Sequence, residues 1–98
     1  MIPMGTIEFR LKNGLTPTEI EKINQTTDKI FAAENITCIH NDSLKRIYGD
    51  QNGKVNLGMV GAALCEIADN KDIVNALAKA TWIMPDETSD LMEDFFNN

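Results

Sequence analysis

The sequence has no long apolar run, few cysteines and few cations, and each shortage excludes a class of protein. No apolar stretch approaches the roughly 18 residues that a membrane-spanning helix needs. The opening MIPMG lacks the basic and apolar regions of a secretory signal. Only Cys38 and Cys65 carry thiols. We therefore expect a cytoplasmic protein in which both thiols are reduced and buried.

The composition is that of an ordinary globular protein. The chain has 98 residues, of which 43% are apolar and 24% are charged, close to the average for folded domains. A chain of this length buries roughly 60–70% of its unfolded surface when it folds. We expect a single α+β domain over residues 1–98 that needs no metal or disulfide.

The charge is unevenly distributed along the chain. The net charge is −6, and residues 1–49 carry six basic and six acidic side chains. Residues 50–98 carry three basic and nine acidic side chains, so the whole excess lies in the second half. Such a field repels nucleic-acid phosphates, which proteins bind through Lys and Arg. Direct nucleic-acid binding is therefore not expected, whereas a basic protein surface would be attracted.

The first half of the sequence predicts a strand, a helix and a second strand. Apolar and polar residues alternate over 6–12, which indicates a half-buried strand. Thr16 and Glu19 have the spacing of a capping box, so a helix is predicted over 17–34. A short β-branched stretch predicts a second strand over 36–40. This order is that of a β-α-β unit with parallel strands.

The second half predicts a group of three helices, over 56–68, 71–83 and 87–96, from apolar residues at helical spacing. The predicted fold is therefore a small N-terminal β-α-β unit packed on a C-terminal group of three helices. Residues 41–55 leave two interpretations open. They form either a short helix followed by a polar loop, which we favour, or a hairpin that pairs 44–48 with 54–57.

Catalytic and metal-binding patterns are weak in this sequence. Cys38 and His40 would share one face of the predicted strand, but structural zinc sites use two pairs of ligands at longer spacing. His40 and the two thiols, of Cys38 and Cys65, are the only candidates for a nucleophile and its base, and the pattern indicates no third orienting group. We therefore predict a protein that is not an enzyme and has no cofactor.

The segment Leu77–Met92 resembles a helix-turn-helix. Ala78 would occupy the small position where the two helices cross, and Leu91 would be a core residue of the second helix. The second helix would carry Asp86, Glu87 and Asp90 but no base, unlike a helix that reads DNA. A regulatory or antitoxin module of this type is the alternative function.

The strongest functional prediction concerns the acidic C-terminal segment. From residue 86 onward the chain has no Lys or Arg but has five acids, namely Asp86, Glu87, Asp90, Glu93 and Asp94. We predict that they form one charged side of the last helix and bind a partner protein with a basic surface, with Trp82 as a flanking anchor. The oligomeric state is not predicted.

This combination of properties suggests a function. In size and charge alone, the chain is similar to small acidic phage proteins that block bacterial defence complexes, such as anti-CRISPR proteins, although no motif is shared. The leading hypothesis is a non-enzymatic interaction module, an inhibitor that engages a basic surface of a nucleic-acid-handling protein.

Overall fold

A computed structural model describes residues 5–50, 53 and 55–96. Within these residues the strands are β1 (Thr6–Leu11), β2 (Thr37–Asn41), β3 (Lys45–Gly49), β4 (Leu77–Ile83) and β5 (Thr88–Asp90). The helices are α1 (Pro17–Ala32), α2 (Leu57–Asp69), α3 (Lys71–Ala76) and α4 (Leu91–Asp94). None of these helices combines the length and the apolarity that a membrane crossing requires.

The five strands form one antiparallel sheet in the order β2-β3-β1-β4-β5. The predicted fold, a β-α-β unit packed on three helices, is therefore wrong. β3 lies between β1 and β2, so the two predicted strands are not neighbours. Much of the predicted helical half is sheet, because β4 pairs with β1 at the centre and β5 pairs with β4 at the edge.

The helix predicted over 71–83 ends at Ala76, and the following residues form β4. Leu77 and Ala80 are buried, and their spacing fits one turn of a helix as well as a bulged strand. Pairing with β1 selects the strand, and Thr81, Trp82 and Ile83 are compatible with it because β-branched and aromatic residues favour a pleated sheet. With a strand over Leu77–Ile83, the helix-turn-helix interpretation is also wrong.

The helix predicted over 87–96 is reduced to one turn, α4. Before it, the Met84 N–H donates to the Glu87 carbonyl at 2.8 Å and closes the turn between β4 and β5. The carboxylate of Asp90 then accepts from the Met92 and Glu93 N–H groups at 3.0 and 3.4 Å. The N-cap therefore lies at residue 90, and the helix cannot begin at 87.

Residues 37–49 form one hairpin, in which 42–44 are the turn between β2 and β3. The Asp42 N–H donates to the Lys45 carbonyl at 2.8 Å, which joins β2 to β3. Both interpretations of this region are therefore wrong, since β3 is neither a helix nor the partner of a later strand. Residues 51, 52 and 54 lie outside the described residues.

The core lies on one side of the sheet, beneath α1 and α2. Aromatic rings join the layers: Phe31 of α1 stacks on Tyr48 of β3 with ring centroids 4.2 Å apart, and it meets Phe9 of β1 edge-on at 5.6 Å. Phe96, which follows α4, meets the same Phe9 at 6.0 Å. α2 contributes an aliphatic row of buried residues, namely Val60, Ala63, Leu64 and Ile67.

The opposite side of the sheet is open to solvent. On the central strand β1, Ile7, Phe9 and Leu11 are buried, whereas Arg10 between them is exposed. Ile83 of β4, which also faces outward, is 41% exposed. This open face leaves the outward side chains of three adjacent strands accessible to other molecules.

Candidate protein-interaction site

The five predicted acids lie along the edge strand β5, the turn that precedes it and the helical turn that follows it, and not on one helix. Asp86 and Glu87 are in the turn before β5, Asp90 ends β5, and Glu93 and Asp94 are in α4. All five are exposed. β5 is the last strand in the sheet order. We call these residues the acidic edge.

The members of the acidic edge, and the neighbouring Trp82, differ in their local roles. Asp90 caps α4, so its carboxylate contributes to the fold. Trp82 pairs with Ile7 and therefore lies on the core side of β4, where it is half-buried and packs against the core. The four remaining acids, Asp86, Glu87, Glu93 and Asp94, have exposed side chains in a turn and a single helical turn.

The charge of the acidic edge is not neutralised within the described part of the chain. The ion pairs there join Lys45 to Glu8 at 3.5 Å and Arg46 to Asp28, and neither involves the acidic edge. β5 itself is three residues long and has no strand beyond it among the described residues. The edge therefore combines negative side chains with backbone groups that no neighbouring strand uses.

A partly buried ionic network, which the sequence reasoning missed, fixes α1 to the sheet. Asp28 of α1 accepts hydrogen bonds from the Arg46 guanidinium, through Nε at 3.0 Å, and from the Tyr48 hydroxyl at 2.6 Å. Burial, together with the hydrogen bond to Asp28, raises the pKa of Tyr48. The sequence contains one signal for this network, the spacing of Arg46 and Tyr48. Alternate residues of a strand share a face, so both lie on the core face, but this can be inferred only once β3 is known to be a strand.

The proposed pair of Cys38 and His40 is separated by a β-bulge. Cys38 pairs with the buried Tyr48, whereas His40 pairs with Ile47, so the two side chains face opposite sides of the sheet. The expectation that they share a face is therefore wrong. Burial raises the pKa of the Cys38 thiol, which makes it a weaker nucleophile at neutral pH. Cys65, expected to be buried, is exposed on α2.

Metal ligands do not converge anywhere in the described residues. No group of three His, Cys, Asp or Glu side chains there could hold an ion.

No protein-family model matches this chain, and neither a curated protein nor a solved structure matches it at a significant level.

Proposed function

We propose that this is a cytoplasmic, non-enzymatic interaction protein whose acidic edge binds a basic surface of a nucleic-acid-handling protein. By occupying that surface it would act as an inhibitor, in the manner of small acidic phage proteins. Asp86, Glu87, Glu93 and Asp94 carry the charge. Trp82, on the neighbouring strand, would supply an apolar contact through the part of its side chain that the core leaves exposed.

The observation that carries the proposal is the exposed charge of the acidic edge, which no described cation neutralises. Clustered charges of one sign speed the encounter with a surface of the opposite sign and exclude partners of like charge. Nucleic acid itself is such an excluded partner, because the chain carries a net charge of −6. The same acids could serve only to prevent two copies of the sheet from pairing edge to edge, because charged residues on a short edge strand have that effect. The test must therefore distinguish partner binding from protection against aggregation.

The test compares two variants with equal changes in net charge. In the edge variant, Asp86, Glu87, Glu93 and Asp94 are replaced by Lys, whereas Asp90 is kept because it caps α4. The control variant carries Lys at four exposed acids elsewhere, namely Glu21, Glu66, Asp69 and Asp72. Each protein is immobilised and used to capture partners from an extract of the source cell, with and without nuclease treatment.

We expect wild type and control to retain the same basic protein, to release it as salt is raised, and to lose it when DNA is added as a competitor. The edge variant should fold, as judged by circular dichroism, but retain none of this protein. Equal capture by the edge variant and the control would refute the proposal, and so would a captured partner that is itself acidic.

A further inference from the structure

The open face of the sheet carries a row of cations on an otherwise acidic molecule. The register of the sheet places Arg10 of β1 directly opposite Lys45 of β3 on one side and Lys79 of β4 on the other. Arg10 and Lys79 are exposed, and Lys45 is half-buried. We call these three residues the cationic row; with neighbouring strands roughly 4.8 Å apart, it is about 10 Å long.

The arrangement of the cationic row is unfavourable for this chain alone. Like charges directly opposite each other on neighbouring strands repel. Glu8 pairs with Lys45 at 3.5 Å, but no described carboxylate lies within ion-pair distance of Arg10 or Lys79. The row therefore has an excess of positive charge that an anionic ligand would compensate.

A concavity adjoins the row and limits the kind of ligand that fits. It has a volume of about 330 Å³, and its lining includes Arg10, Lys45, Asn13 and Asp42. The Asp42 carboxylate accepts from the Ser43 N–H through Oδ1 at 2.7 Å, which leaves Oδ2 to accept from a donor in the ligand, and Asn13 can both donate and accept. A peptide backbone supplies N–H donors, whereas the sugar-phosphate backbone of DNA supplies none.

Two further observations disfavour nucleic acid as this ligand. Proteins that bind single strands on an open sheet stack the bases on aromatic side chains, but the aromatic residues of the strands, Phe9, Tyr48 and Trp82, belong to the core side. The net charge of −6 also repels a long polyanion. A short acidic segment feels less of this repulsion.

We propose that the cationic row and its adjoining concavity bind a short, extended, acidic segment of a partner protein. In an extended chain, carboxylates at alternate positions lie roughly 7 Å apart on one side, which fits a row about 10 Å long. Arg10, at the centre, pairs with a carboxylate through its planar fork. The backbone of the segment donates to Asp42.

The experiment titrates isotope-labelled full-length protein with a blocked hexaglutamate peptide and, separately, with an oligothymidylate of equal charge, while amide signals are followed by NMR. The reversed variant carries Arg10→Glu and Lys79→Glu. A neutral variant, with Arg10→Gln and Lys79→Gln, replaces it if the reversed variant does not fold. The control is Lys22→Glu with Lys29→Glu, which makes the same change of charge on the exposed side of α1.

We expect the peptide to shift the amide signals of Arg10, Lys45 and Lys79 and to bind wild type and control about equally. It should bind the reversed or neutral variant about tenfold more weakly, and the oligothymidylate should bind wild type more weakly than the peptide does. The proposal is overturned if the oligothymidylate binds as tightly as the peptide, if the row variants bind the peptide like the control, or if no signal near the row moves.

Discussion

Removal of the Asp28 carboxylate should destabilise the protein strongly, because two buried groups depend on it. Its oxygens accept hydrogen bonds from the Tyr48 hydroxyl at 2.6 Å and from the guanidinium of Arg46. Tyr48 is fully buried, and only 14% of the Arg46 side chain is exposed. In Asp28→Ala the Tyr48 hydroxyl loses its carboxylate acceptor, and among the described residues the Arg46 guanidinium keeps only the Tyr48 oxygen as a partner, besides solvent.

The expected magnitude follows from the burial of the three groups. Removing one partner of a buried ion pair costs about 3–5 kcal/mol. The Asp28 side chain is 35% exposed, so solvent screens part of this interaction, and we expect a loss of about 2–3 kcal/mol. Tyr48→Phe removes only a hydrogen bond and should cost about 1 kcal/mol.

The assay is urea unfolding followed by the fluorescence of Trp82, the single tryptophan. A double-mutant cycle of Asp28→Ala with Tyr48→Phe isolates the coupling between the two groups, which should exceed about 0.5 kcal/mol. If Asp28→Ala costs less than about 0.5 kcal/mol, or if the two effects are additive, the network does not fix α1 to the sheet.

Two further predictions concern pH and the outer side of α2. Because burial raises the pKa of Tyr48 above its ordinary value of 10.0, its contribution to stability is complete below pH 10 and is lost as the pH rises through the folded pKa. Ultraviolet absorbance should show the tyrosinate of this single tyrosine only as the protein unfolds; ionisation of the folded protein at pH 10 would contradict this. Gly61→Ala should raise the free energy of unfolding by about 1 kcal/mol, because an added Cβ meets nothing within 4 Å. The matched Gly58→Ala should gain less, since its Cβ lies 3.2 Å from the capping oxygen of Asn56, and equal gains in urea unfolding would contradict this reasoning.

The sequence predicted α1 correctly because a capping box marks the start of this helix. The Glu19 N–H donates to Thr16 Oγ1 at 3.1 Å, and the Thr16 N–H donates to Glu19 Oε1 at 3.0 Å. Both hydrogen bonds of the predicted capping box therefore form. Such a motif needs no tertiary contact to act, which is why it can be read from spacing alone.

The sheet could not be predicted in the same way, because its pairing joins residues far apart in the chain. Ile73, Leu77 and Ala80 have helical spacing, yet the last two are buried in β4 because β1 is available to pair with it. Lys45–Gly49 has little apolar character, since Arg46 is buried only with the help of Asp28. In both segments tertiary pairing outweighs the spacing of the apolar residues along the chain.

The candidate site was predicted in its composition but not in its geometry. The acids of the C-terminal segment are exposed, as a charged surface requires, but they lie along a turn, a strand end and a short helix. The capping role of Asp90 could not be separated from a binding role by charge alone. The cationic row was invisible in the sequence because only the register brings Arg10 next to Lys45 and Lys79.

The most direct test of the proposed function is the salt dependence of the affinity for the captured basic partner, measured by calorimetry with wild type, edge variant and control variant. We predict a steep fall in affinity with rising ionic strength for wild type and control, and weak binding with little salt dependence for the edge variant. A wild-type affinity that does not change with salt, or an edge variant that binds as tightly as the control, would contradict the account.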